Sequence, residues 1–239
     1  MAVGQTAILH AESLAAPARK GRDLFELGVG YGLILLVIWT PNPWQRRLYL
    51  VAALFILVVS WRNFTSWAAM GLRKTDLLRS LWIVGVALIF SAISITIAIR
   101  LQTLRPWRGP AELVQRFWGY AIWSFLQQFL LQIYFLQRTL RLVSSKKLAV
   151  GLAVAVFTLA HLPNPLLTLA TLVWGCAACL LFLRYRNLIP LGVTHAILGI
   201  TIALCFPGQV THNMRVGLGY LTYTPKLHRH HRPQTVIAP

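Results

Sequence analysis

Long apolar runs alternate along the chain with short polar breaks rich in Lys and Arg. Seven runs stand out, roughly Leu24–Trp39, Leu48–Trp61, Leu81–Ile99, Phe117–Leu136, Leu148–His161, Leu166–Leu183 and Leu188–Phe206. A helix rises about 1.5 Å per residue, so crossing a hydrocarbon core of about 30 Å takes about 20 residues. Most of the runs suit that length, and the second ends early, at Arg62 and Asn63. Trp39, Trp44, Trp61, Trp82, Trp107 and Trp118 fall near run ends, where aromatic belts form at the two membrane interfaces. The pattern predicts an all-α, polytopic membrane helix bundle of about seven transmembrane helices. A polar amino-terminal segment (1–23) precedes the multi-span domain (24–206), and the stretch 207–239, with Pro207, Gly208, Gly217 and Gly219, reads as a carboxyl-terminal loop and tail.

Composition supports the membrane class. Of the 239 residues 57% are hydrophobic and 12% charged, against about 25% charged in an average soluble domain. So much apolar material excludes disorder, and 3 Cys exclude a disulfide scaffold. The net charge of +18 raises nucleic acid as a partner, but the cations sit in small groups between apolar runs, as membrane anchors do. The expected partners are the lipid bilayer and its anionic headgroups, with no nucleic acid. Cation counts on the two sides are nearly even and give only a lean toward an inside amino terminus. No cleavable signal is read at the start, because Arg19, Lys20 and Arg22 follow the weakly apolar opening. An integral, multi-pass protein of this kind is compatible with a prokaryotic cell membrane.

Polar side chains at mid-membrane depth mark function more often than packing. The fourth run carries Gln127, Gln128 and Gln132, the fifth ends in Phe157-Thr-Leu-Ala-His161, and the seventh holds Thr194-His195. Counted from the nearest cations, Gln127, Gln128, His161 and His195 lie within about 8 Å of one another along the membrane normal. Pro163 and Pro165 disfavour helix at Leu162 and Asn164, so the fifth helix is expected to stop before crossing. Backbone freed at that depth is tolerated only in protein or along a wet cavity. That places His161 on a polar intramembrane cavity, with Asn164 available to satisfy backbone groups. For Gln132 and Gln137 an interhelical hydrogen bond is the plainer reading.

These residues resemble the CPBP family, the CAAX-processing, bacteriocin-immunity and abortive-infection-like type of intramembrane protease. Its three motifs are Glu-Glu-x-x-x-Arg, Phe-x-x-x-His and His-x-x-x-Asn or Asp. The resemblance covers about 112–206. Phe157 and His161 match the second motif, and His195 opens the third within Pro190-Leu-Gly-Val-Thr-His195-Ala. Gln127 and Gln128 stand at the paired glutamates, Gln132 at the arginine and Gly199 at the final asparagine. The resemblance implies an intramembrane endopeptidase acting on a membrane or lipidated peptide. In the family the first glutamate is thought to activate water, while the histidines and asparagine hold the water and the oxyanion. The catalytic positions are then His161, His195, Gln127 and Gln128, supported around the cavity by Phe157, Asn164, Thr194 and Gln132. A glutamine amide is no general base, and Glu112, about 22 Å away along a helix, does not replace the lost carboxylate. The expectation is an atypical endopeptidase, with a catalytically inactive relative binding a peptide, lipid or lipidated partner as the alternative.

A divalent metal would have His161 and His195 as ligands and Cys176 as a candidate third, where zinc takes three or four; no cofactor is assigned. Cys176 and Cys179 form a C-x-x-C within an apolar helix, better explained by close helix packing than by redox chemistry. His228, His230 and His231 belong to the tail. A transporter or channel would need a continuous polar path, and the chain shows one polar level only.

Overall fold

The computed structural model describes residues 2–73 and 76–224, with side chains from 19 onward. All seven apolar runs are helical. They lie in α1 (Ala2–Trp39), α2 (Trp44–Arg62), α3 (Trp82–Arg100), α4 (Pro110–Phe129, running on through Leu130–Leu136 into Gln137–Leu142), α5 (Lys146–Leu159), α6 (Pro165–Tyr185) and α7 (Leu188–Cys205). Four helical stretches are long and apolar enough to cross a membrane: Trp44–Arg62, Leu77–Arg100, Pro165–Tyr185 and Leu188–Cys205. The described residues contain no strand. The stretch after Phe206 is more ordered than its turn residues suggest. It makes short helical turns at Gly208–Thr211, His212–Met214 and Gly217–Leu221. The histidines His228, His230 and His231 lie outside the described residues.

The outer surface is apolar. Leu54, Leu57, Leu88, Ile89 and Ile93 are all more than half exposed, the arrangement that hydrocarbon solvent selects and water does not. Packing divides the helices into two groups. α7, the most buried of the four long apolar stretches, lies between α3 and α4, while α1 pairs with α2 and α5 with α6. α2 and α3 scarcely meet. The last turns of α4 join the groups by packing on α1 and α5.

Two kinds of contact hold the bundle, one within a group and one between the groups. Along α4–α7 the backbones approach closely: a Cβ on Gly192 would collide with the Phe125 ring, and one on Gly199 with the Tyr120 hydroxyl and ring. Small residues permit such approach, and dispersion contacts then stabilise helices that gain no hydrophobic drive inside lipid. At the other junction, buried Arg138 donates from Nε and Nη2 to Glu26 Oε2 at 3.0 and 2.9 Å, and Arg141 grips Asp23 at 2.8 and 2.7 Å. The Tyr134 hydroxyl donates to the Glu26 carbonyl, and the Arg138 guanidinium lies 4.1 Å from the centre of the Tyr134 ring. These buried carboxylates are paired and hydrogen-bonded, the condition under which such groups are tolerated away from water.

Candidate functional site

The α4 backbone changes winding where the site begins. Leu130–Leu136 is π-helical, and inserted π-turns re-aim side chains and recur at functional sites. Gln127 and Gln128 precede it by a turn, and Gln132 lies within it. α5 closes after 14 residues in a tight turn, in which His161 N donates to Thr158 O at 2.9 Å and Asn164 N to His161 O at 3.1 Å. Fully buried Asn164 caps α6 by accepting from Leu167 N at 3.2 Å. Its amide also donates to Thr211 O at 2.9 Å and Arg215 O at 3.0 Å. Gly217, at a left-handed φ of 55°, donates its N–H to Leu162 O at 2.8 Å. Asn164 and Gly217 thus fasten the chain after Phe206 to the turn that carries His161.

The two histidines stand around one aromatic ring. Phe157 lies 5.0 Å from the His161 ring and 6.2 Å from the His195 ring, edge-on to both, and Trp174 lies 6.3 Å from His195. Each imidazole meets one of the paired glutamines. Gln127 Nε2 is 3.3 Å from His161 Nε2, and Gln128 Nε2 is 2.9 Å from His195 Nδ1. Gln132 Nε2 donates to Gln128 Oε1 at 3.3 Å. The structure therefore brings together Gln127, Gln128, Gln132, Phe157, His161 and His195, with Asn164 behind them and Thr194 beside them on the cavity wall.

This network assigns the protons. A backbone carbonyl only accepts, so His161 Nδ1, 2.8 Å from Phe157 O, carries the hydrogen. His161 Nε2 is then the basic nitrogen, and the Gln127 amide donates to it. Gln132 orients Gln128 so that its amide nitrogen faces His195, as assigned from the hydrogen-bond pattern. His195 Nδ1 accepts, leaving Nε2–H as a donor. One imidazole holds a basic nitrogen covered by Gln127, and the other an N–H. Gln132 Oε1, Thr194 Oγ1 and Trp174 Nε1 are buried without a partner. Buried polar atoms are nearly always satisfied, so Thr194 and Trp174, the two of these that line the cavity, mark where a polar group of a ligand would gain most.

The cavity in front of them measures about 1930 Å³, larger than the 300–1,000 Å³ of ordinary ligand pockets. Its wall is mostly apolar, and it runs from His161 and His195 past Tyr120 and Gly199 to α2 and α3. Among the described side chains no carboxylate is left for the site. Asp23 and Glu26 pair with arginines, Asp76 lies 3.4 Å from Arg73, and Glu112 accepts from Arg108 N. Nor do any three His, Cys, Asp or Glu among the described residues form a group able to hold a metal ion. Cys176, the candidate third ligand, is exposed, and Cys179 is buried; both are free thiols. Two imidazoles already bonded to glutamines do not fit a metal centre.

Sequence reading passes over Tyr120. Its hydroxyl occupies the space that a side chain at position 199 would need, one helical turn beyond His195. The signal was the glycine itself, where the motif carries a larger side chain.

No curated protein and no solved structure matches the chain. The family described as type II CAAX prenyl endopeptidase Rce1-like matches residues 109–201, a stretch that opens just before α4 and ends on α7. It contains the π-turn, both histidines and every residue of the hydrogen-bonded network. The helical cavity and the motif order meet in one conclusion: over residues 109–201 this membrane chain is similar to the Rce1-like family of type II CAAX prenyl endopeptidases.

Proposed function

We propose that the protein is an atypical intramembrane endopeptidase of the CAAX-processing type, hydrolysing a peptide bond in a membrane-embedded or lipidated segment held in the cavity. The full bundle would cross a prokaryotic cell membrane about seven times. The observation that carries the reading is the complementary pair of imidazoles. A water that displaces the Gln127 amide from His161 Nε2 gives its proton to that nitrogen as its oxygen attacks the scissile carbonyl. His195 Nε2–H donates to the oxygen that gains charge, as a pre-oriented donor in a dry site does. The proton on His161 then passes to the leaving amine, which closes the proton balance. Phe157 O and Gln128 hold the imidazoles in those tautomers, and neither glutamine supplies a base.

A second reading is favoured by one observation: the Gln127 amide already covers the only basic nitrogen of the site. The same cavity would then bind a peptide, lipid or lipidated partner without cutting it. Co-expression with a membrane peptide library decides between them, using the native protein, a His161→Ala/His195→Ala double variant and Gln127→Glu. Native cleavage that disappears in the double variant is the expected result. Cleavage by Gln127→Glu alone would establish the binding reading instead.

A further inference from the structure

The apolar cavity has an opening to the side and a cationic end, and neither is used by the peptide chemistry above. The side opening lies between α2 and α3. Both helices line the cavity, through Ala53 and Leu57 on one and Val86 and Phe90 on the other, yet they scarcely touch. A gap with such walls opens onto hydrocarbon. The cationic end lies where α1 finishes and α2 begins. Arg46 lines the cavity there, and so does Arg215, whose carbonyl accepts from Asn164. Arg105 reaches the same end, donating N–H to Leu204 O and bonding Asn213 Oδ1 at 3.1 Å. Among the described residues no ion pair reaches Arg46, Arg105 or Arg215. Asp23 and Glu26, more than three turns of α1 before Trp39, are held by Arg141 and Arg138. Glu112 is occupied by the Arg108 backbone. Among the described residues the charge at this end is therefore uncompensated, beside an apolar space wide enough for hydrocarbon chains.

We propose that this cavity binds an anionic phospholipid, its acyl chains entering between α2 and α3 and its phosphate held by Arg46 and Arg215. Charge complementarity selects the occupant. A zwitterionic headgroup brings its own ammonium to the arginines and gains less, whereas an anionic one gains from both; basic pockets between spanning helices take headgroups of this kind. Arg215 is well suited because fully buried Asn164 anchors its backbone, so little ordering remains to be done on binding. The inference does not depend on whether the protein hydrolyses peptides.

The test is native mass spectrometry of the detergent-solubilised full chain, titrated with dioleoyl phosphatidylglycerol and dioleoyl phosphatidylcholine. Each arginine is expected to contribute about fivefold, so phosphatidylglycerol should be retained about twenty-five-fold more strongly. Arg46→Gln/Arg215→Gln should erase that preference. Arg79→Gln/Arg184→Gln, which removes the same charge from exposed positions outside the cavity, should keep it. Val86→Trp, at an exposed position on the gap, should weaken both lipids together. Equal retention of the two lipids by the native protein would overturn the proposal, as would an equal loss in both arginine pairs. Tighter binding of an acylated peptide with a free α-carboxylate, through the same two arginines, would also overturn it, because the anion would then belong to a peptide.

Discussion

Tyr120 and Gly199 show how one side chain alters the chemistry available at a site. A tyrosine beside a glycine places a phenol hydroxyl on the cavity wall one turn from His195, and the pair is mutually dependent. Gly199→Ala should destabilise the protein by about 1–3 kcal/mol, the usual cost of forcing a methyl group into a filled space. In a Tyr120→Ala background the same change should cost far less, and a double-mutant cycle of thermal unfolding in detergent would read the difference. Additive effects would mean that the two residues do not share that space. The glutamine network makes a similar commitment. Gln128→Leu deprives His195 Nδ1 of its donor and Gln132 Nε2 of its acceptor, at about 1–2 kcal/mol by the measured range for hydrogen bonds between membrane helices. A stability unchanged by this substitution would show that the chain from Gln132 through Gln128 to His195 carries no energy.

Two elements position the site: the π-turn of α4 and the closure of α5. The second depends on Asn164, which caps α6 and holds two carbonyls of the chain after Phe206. Asn164→Ala should remove all three bonds, leave Thr211 O and Arg215 O without this donor, and cost about 2–4 kcal/mol. Hydrogen exchange should rise across 207–222 and stay slow in the first turns of α4. Uniform acceleration through the bundle would mean that this segment and the bundle open as one unit. The same bonds explain why the carboxyl-terminal stretch is ordered although its Pro and Gly content reads as loop. Its turns are stabilised by a residue almost fifty positions earlier, and no local pattern encodes that.

The molecule as a whole depends on ion pairs that join α1 to the end of α4. Glu26→Gln leaves buried Arg138 without its charge partner and should cost about 3–5 kcal/mol, whereas Glu26→Leu combined with Arg138→Met should recover most of the loss. Acid should act through Asp23. Burial pushes its carboxyl up, but the Arg141 hydrogen bonds, with the charges of Arg141, Arg138 and Arg19, outweigh this and hold it below the ordinary value of 3.8. A carboxyl lowered on folding contributes stability that is complete above its unfolded value and disappears as pH falls through the folded one. Unfolding in detergent should therefore ease below about pH 4, and Asp23→Asn should flatten that slope while lowering stability at neutral pH. A variant that retains the full slope would assign acid sensitivity to another group.

Composition and periodicity were enough to determine the helical membrane class, because the need to satisfy backbone groups in hydrocarbon leaves few alternatives. They also marked the stretches that form the helices carrying the candidate site. Gln127, Gln128, His161 and His195 could be read in advance because polar groups are rare in such runs, and helical rise converts their spacing into depth. The consequences of distant contacts were not legible. Which tautomer each histidine holds depends on Phe157 O and Gln132, and the use of the space at Gly199 depends on Tyr120. The gap between α2 and α3, and the presence of Arg46 and Arg215 on the wall of one cavity, follow from how the two helix groups pack. Depth along the membrane is written in one dimension and survives in a sequence. Azimuth, distance and cavity shape arise only when separate helices meet.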